Sequence, residues 1–194
     1  MSAESAPVRL STPFDPQALQ RLRAGDRVLI SGRIYAARDA AHKRMIETLD
    51  RGETLPVDLR GQCLYYVGPA PAKPGQVIGS AGPTTAGRMD PYTPRLLEQG
   101  LLGMIGKGNR SAAVIASIRV HKAVYFAATG GAGALLARHI TGYTVLAYAE
   151  LGPEALAELT VSDFPAIVVV DSLGTDQYVE GRKQYQHIQV NGSA

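Results

Sequence analysis

Apolar and polar positions along this chain follow two periods, and their succession predicts its layout. Residues 16–23 read as a short helix, residues 26–34 as a strand rich in Val, Leu and Ile, and residues 38–49 show helical spacing. A polar turn region at 52–61 leads into a strand at 63–67. A Pro/Gly loop follows at 68–75, and a second strand at 77–81 runs into the segment that begins at Gly82. Beyond it, short apolar runs and helical patterns alternate: 93–99, 102–105, 111–120, 123–128, 132–140, 144–149, 154–159 and 166–170. Repeated strand-then-helix order implies a parallel or mixed sheet covered by helices. The two strands of the first part suggest an antiparallel layer, so the expected class is α/β with a β/β/α layered arrangement and a mixed sheet. After Gly174 no clear period remains, although Tyr178, Tyr185 and His187 stand among polar residues. The expectation is one domain over 1–194, with a mobile N-terminal tail at about 1–10 and a peripheral C-terminal segment at about 175–194 that is open to packing on a partner.

Composition narrows the function classes. Twenty Lys plus Arg stand against seventeen Asp plus Glu, and no run of like charge exceeds the Lys43-Arg44 pair, so no basic stripe offers itself to nucleic acid. No stretch approaches the roughly twenty apolar residues needed to cross a bilayer, and Met1 to Pro7 lack the layout of a signal peptide; the expectation is a cytoplasmic protein. Cys63 is the one cysteine, so the chain has no internal disulfide and cannot assemble a Cys-based zinc or iron–sulfur site by itself. Its apolar surroundings, Gln62-Cys63-Leu64-Tyr65-Tyr66-Val67, point to a buried hydrophobe rather than a nucleophile. His42, His121, His139 and His187 show no metal-ligand spacing.

Three segments carry the candidate chemistry: Arg38-Asp39-Ala40-Ala41-His42, Gly82-Pro83-Thr84-Thr85-Ala86-Gly87-Arg88-Met89-Asp90 and Lys107-Gly108-Asn109-Arg110-Ser111. Each sets cations or hydroxyls among turn residues where secondary structure should change. An arginine fork matches a carboxylate with two parallel charge-assisted hydrogen bonds, and a lysine adds a compact charge, so two arginines and a lysine suit a small dianionic acid. Arg38 falls where a helix begins, a favourable place for an anion, with His42 four residues on along the same face. The blander alternatives are an Arg38 paired with a nearby acid and a His42 satisfied in the core or at an interface. Glycines allow close backbone approach to a ligand, and Thr84 or Thr85 either caps the next segment or leaves a hydroxyl at the site with Arg88. Lys107 follows an apolar strand between glycines; the alternative is a turn with a solvated lysine. Thr129-Gly130-Gly131-Ala132-Gly133 lacks the full G-x-G-x-x-G pattern and reads as a tight strand-to-helix turn, with a nucleotide site as the lesser alternative.

The three segments, in this order, resemble the C-terminal domain or β subunit of class I (iron–sulfur) fumarases and L-tartrate dehydratases, over about residues 25–174. The resemblance implies a swivelling β/β/α domain. It implies a hydro-lyase with a 4Fe-4S cluster carried by a separate cluster-bearing α subunit in an α2β2 heterotetramer. Carried over by motif position, Arg38, Arg88 and Lys107 would bind the carboxylates of a small dicarboxylate, and Thr84 would stand at the carbon that loses its proton. Fumarate hydration to malate is the first expectation and tartrate dehydration the second. A non-catalytic dicarboxylate-binding module is an alternative from a different class.

Overall fold

The computed structural model describes residues 6–186, and the strands and helices fall into one mixed sheet with helices packed around it. In chain order the elements are β1 Val8–Ser11, α1 Pro16–Arg21, β2 Arg27–Ala36, α2 Asp39–Asp50, β3 Cys63–Tyr65, α3 Thr93–Glu98 and β4 Gly103–Gly106. They continue with α4 Ala112–His121, β5 Val124–Ala127, α5 Gly133–Ala137, β6 Ile140–Ala147, β7 Leu156–Val170 and α6 Gln177–Gln186. Helix boundaries follow from local chemistry. Asp15 caps α1 by accepting from the Gln17 N–H, with Pro16 in the first turn, and Ser111 caps α4 by accepting from the Val114 N–H.

Seven strands lie in the order β1-β2-β3-β4-β5-β7-β6. The first five are mutually parallel, whereas β7 runs antiparallel to β5 and β6 and also to β2, so the ladder β2-β3-β4-β5-β7 closes on itself. Fifteen residues allow β7 to take different neighbours along its length: its first half lies between β2 and β6, its second between β2 and β5. The β2–β7 register shifts between Ile30 and Gly32. Gly32 has φ +112°, and a Cβ there would sit 2.6 Å from Thr12 Oγ1, so only glycine fits.

Alternation along the short central strands divides the core in two. Cys63, Tyr65, Ile105, Val124, Phe126 and Val168 join Phe14, Leu19, Ile30 and Ile34 in one cluster. Leu64, Tyr66, Met104, Tyr125 and Val169 face the other way, onto Met45 of α2, Leu96 of α3 and Val114 and Ile118 of α4. Strands buried on both faces carry no polar alternation, which is why β3 to β5 are nearly continuous apolar runs. Each fully buried large side chain contributes about 1.5–3 kcal/mol relative to exposure.

The layered α/β class with a mixed sheet is therefore as expected, but four details differ. The N-terminal strands are parallel, and the antiparallel pairs come from the C-terminal half. Residues 77–81 form no strand: Ala70 N–H donates to Ser80 and Gly79 N–H back to Ala70, so the loop closes on itself while Ile78 and Ala81 enter the core. The runs 154–159 and 166–170 belong to one strand, which bends at Asp163 (φ +47°) and continues through Pro165 opposite Leu29. Strand β1 begins at Val8, inside the stretch of about 1–10 expected as an N-terminal tail, and part of the aperiodic C-terminal segment forms α6. His187 lies outside the described residues. Among the described residues, no helix is long and apolar enough to cross a membrane.

Candidate functional site

Because β2, β3, β4 and β5 are parallel, their C-terminal ends share one edge of the sheet, the usual place for a ligand in an α/β protein. Arg38 stands just past β2 as the extended residue that opens α2. Its carbonyl accepts both the His42 backbone N–H and the His42 ring, each at 2.8 Å. A carbonyl only accepts, so Nδ1 carries the proton, and in the neutral ring Nε2 is a bare acceptor, buried without a partner. Burial lowers the His42 pKa to about 4, although the Arg38 carbonyl pulls the other way. The bland reading of His42 as a buried histidine is correct as to burial, with Tyr66 and Tyr92 rings against it.

The Arg38 side chain is about one-fifth exposed and lies across Gly68, where a Cβ would come within 2.7 Å of Nη1. Two acids flank it: Glu154 Oε1 is 3.4 Å from Nη2, and Asp39 Oδ2 is 3.7 Å from Nε. Glu154 also accepts the Ala40 N–H at the start of α2. The alternative pairing of Arg38 with a neighbouring acid is thus present in the structure.

The segment Gly82 to Thr85 inserts between the extended ends of β3 and β4. Thr84 N–H donates to Tyr66 at 2.7 Å, Lys107 N–H donates to Thr84 at 3.1 Å, and Ala86 N–H donates to Lys107 at 2.8 Å. Gly106 permits this approach: a Cβ there would meet the Tyr66 ring at 2.9 Å and Ala86 at 3.1 Å. Thr84 is half-buried, and Thr85 precedes a 3-10 turn, Ala86–Met89, without a side-chain capping bond, so the capping reading of the threonines does not hold for Thr85. Arg88, on that turn, is 50% exposed and donates from Nε to Asp39 Oδ1 at 2.8 Å. Lys107 is exposed beside Gly130, and its ammonium has no hydrogen-bond or ion-pair partner among the described residues. Arg38, Thr84, Arg88 and Lys107 thus meet at one edge. The glycine-rich stretch after β5 makes a strand-to-helix turn with Gly131 at φ +79°.

Sequence reasoning gave no role to the residues that hold these segments together. Arg110 is fully buried and uses its donors inside the protein: Nε to Asp90 Oδ1 at 2.7 Å, Nη2 to Thr93 Oγ1 at 2.7 Å, and Nη1 to the Tyr66 hydroxyl at 3.1 Å. Its guanidinium also stacks near the Tyr66 and Tyr125 rings, 5.4 and 5.0 Å from their centroids. The second Asp90 oxygen accepts the Ser111 N–H at 2.6 Å, and the Tyr125 hydroxyl donates to Gly108. This network ties the turn bearing Arg88 to the loop bearing Lys107. Asp90 and Arg110 were visible in the motif strings as opposite charges at an element end, the one signal that pointed to them.

The described residues do not fit an iron–sulfur cluster held by this chain alone. Among them no group of three or more His, Cys, Asp and Glu side chains is placed to hold an ion. Cys63 faces the core, and burial pushes its thiol far above the usual range, away from the thiolate that would ligate iron.

The strand ends thus carry a cationic, glycine-lined edge on a mixed α/β domain. The model of the family "Fumarase C-terminus" matches residues 1–181, and the chain belongs to that family. It is 41% identical over 182 residues to fumarate hydratase 2 of Leishmania major, covering 92% of this chain and 32% of that protein. It is 40% identical to the aerobic class I fumarate hydratase of Salmonella typhimurium, over 89% of this chain and 30% of the relative. A protein of Methanocaldococcus jannaschii provisionally named L(+)-tartrate dehydratase subunit beta is 38% identical, over 86% of this chain and 88% of its own length. The chain therefore spans about a third of the fumarate hydratases and nearly all of the tartrate dehydratase subunit.

Proposed function

We propose that this chain is the β subunit of a hydro-lyase that interconverts fumarate and malate, supplying the carboxylate-binding half of a site completed by a cluster-bearing α subunit. The observation that carries the reading is the convergence of Arg38, Arg88 and Lys107 beside Thr84 at the strand ends, with the Lys107 ammonium unpaired among the described residues. Fixed cations suit this chemistry. Removing a proton from the carbon next to a carboxylate builds negative charge on that carboxylate, so Arg88 and Lys107 stabilise the transition state more than the ground state. Arg38 holds the second carboxylate, and Thr84 presents its hydroxyl at the carbon that loses the proton. A threonine hydroxyl is a weak base, so either the surrounding cations activate it or a carboxylate of the α subunit takes the proton on.

In this reading a 4Fe-4S cluster resides in the α subunit, because Cys63 is walled into the core here. The assembly is an α2β2 heterotetramer in the cytoplasm. A second reading, tartrate dehydration, is supported by the relative that this chain covers almost end to end. Anaerobic co-purification with the tagged chain, an absorption spectrum of the complex, and turnover with malate, fumarate and tartrate test both. A brown partner and activity with one acid support the hydro-lyase and select the substrate. A complex that binds dicarboxylates without turning any over leaves the non-catalytic binding module in its place.

A further inference from the structure

Asp39 stands between the two arginines rather than beside one. Its Oδ1 accepts from Arg88 Nε at 2.8 Å, and its Oδ2 faces Arg38 Nε at 3.7 Å. Those two facing atoms, Asp39 Oδ2 and Arg38 Nε, are both buried and both without a hydrogen-bond partner. An orphaned acceptor opposite an orphaned donor is satisfied by a small closing movement, and a buried unpaired polar group is costly enough to favour it. Both approaches use the Nε side of the guanidinium. An arginine held through Nε keeps the Nη1/Nη2 end of its fork for a second carboxylate, whereas one held end-on does not. Arg88 is held in that way, while Arg38 Nη2 also faces Glu154 Oε1 at 3.4 Å, which a bound carboxylate would replace. Arg88 makes no hydrogen bond through Nη1 or Nη2 among the described residues. Gly68 leaves room for the Arg38 side chain on the other side, since a Cβ there would come within 2.7 Å of Nη1 and 2.9 Å of Cδ.

We infer that Asp39 is a positioning residue whose single carboxylate bridges Arg38 and Arg88 through their Nε groups and so fixes the spacing and aim of the pair toward a dicarboxylate. It acts through the arginines and touches no reacting atom. The inference rests on the reading of Arg38 and Arg88 as carboxylate ligands.

Kinetics of the assembled α and β subunits test it with Asp39→Asn, Arg88→Lys, the double variant and Arg88→Ala. Asp39→Asn is expected to raise KM for the dicarboxylate by about tenfold, the order of one charge-assisted hydrogen bond, with a smaller change in kcat. In the Arg88→Lys background, where no Nε–H is available, the same substitution should add less than about threefold, because the two changes remove one interaction. Nitrogen-15 NMR of the full chain gives a readout independent of turnover: the Arg88 Nε–H signal should exchange slowly with water and lose that protection in Asp39→Asn. Unchanged KM and unchanged Nε–H protection in Asp39→Asn, with Arg88→Ala still crippled, overturn the positioning role and leave the arginine clamp standing. An Arg88→Ala complex with native KM and kcat removes the clamp, and the inference falls with it.

Discussion

Arg88 and Arg110 carry the same guanidinium into opposite surroundings, one half-exposed at the sheet edge and one with no exposed side-chain surface. Arg110 uses Nε, Nη1 and Nη2 on Asp90, Tyr66 and Thr93, while Arg88 uses Nε alone, on Asp39. A cation that has satisfied its donors within the protein can hold a scaffold but has nothing left for a ligand. The exposed cation is the reverse. Burial tends to disfavour the charge of Arg110, and the facing Tyr66 and Asp90 outweigh it, so its pKa lies above the ordinary arginine value. Two of the three motif strings hold one outward-facing cation and one member of the buried pair: Arg88 with Asp90, and Lys107 with Arg110.

The largest effect should come from the buried member. Arg110→Met strands Asp90 in the interior and removes the donors to Tyr66 and Thr93, so urea unfolding should show a loss of about 3–5 kcal/mol. A loss below about 1 kcal/mol would mean that the network does not hold the two loops together. Arg88→Ala should do the opposite. Stability should change by less than about 1 kcal/mol, as for other exposed ion pairs, while turnover of the assembled enzyme falls by about a hundredfold or more.

His42 sharpens the contrast through pH. Its pKa is about 4 in the folded chain against an ordinary 6.5, so between those values the unfolded chain binds more protons and stability falls as the pH drops. The contribution is fully present above pH 6.5 and is removed by pH 4, on the order of 3 kcal/mol in all. Unfolding free energies of wild type and His42→Gln from pH 8 to 4 should converge toward the acid end. Parallel curves would show that His42 does not titrate with unfolding.

The smallest change is Gly68→Ala. Its added methyl group would meet the mobile end of Arg38, at 2.7 Å from Nη1, more closely than backbone, so the guanidinium should shift while the fold tolerates it. KM should rise several-fold with a stability change under about 1 kcal/mol. A native KM would place the working end of Arg38 elsewhere.

The outward-facing residues were marked in the sequence as cations and a hydroxyl at element ends, and folding brings those ends to one edge of the sheet. Asp39 joins Arg88 to the start of α2 beside Arg38, and the Lys107 N–H joins its loop to Thr84. The inward half was not legible, since Asp90 and Arg110 are distant in sequence and charged residues are rarely this buried; only folding shows that they meet. The helices before α6 and the central strands followed from periodicity, whereas α6 lies where the chain shows no clear period. Strand direction did not: parallel β2 and β3 and antiparallel β7 depend on long-range pairing that no local pattern encodes. The loop at 77–81 misled because Val77, Ile78 and Ala81 read as a strand, whereas Gly79 lies against the Ala70 carbonyl, where no side chain fits.

The most direct test measures turnover and thermal unfolding on one preparation of the Arg88→Ala chain assembled with the cluster-bearing subunit proposed above. The account predicts an intact complex, a melting temperature within a few degrees of wild type and turnover reduced by about two orders of magnitude. Near-native turnover in a complex of native stability would contradict it.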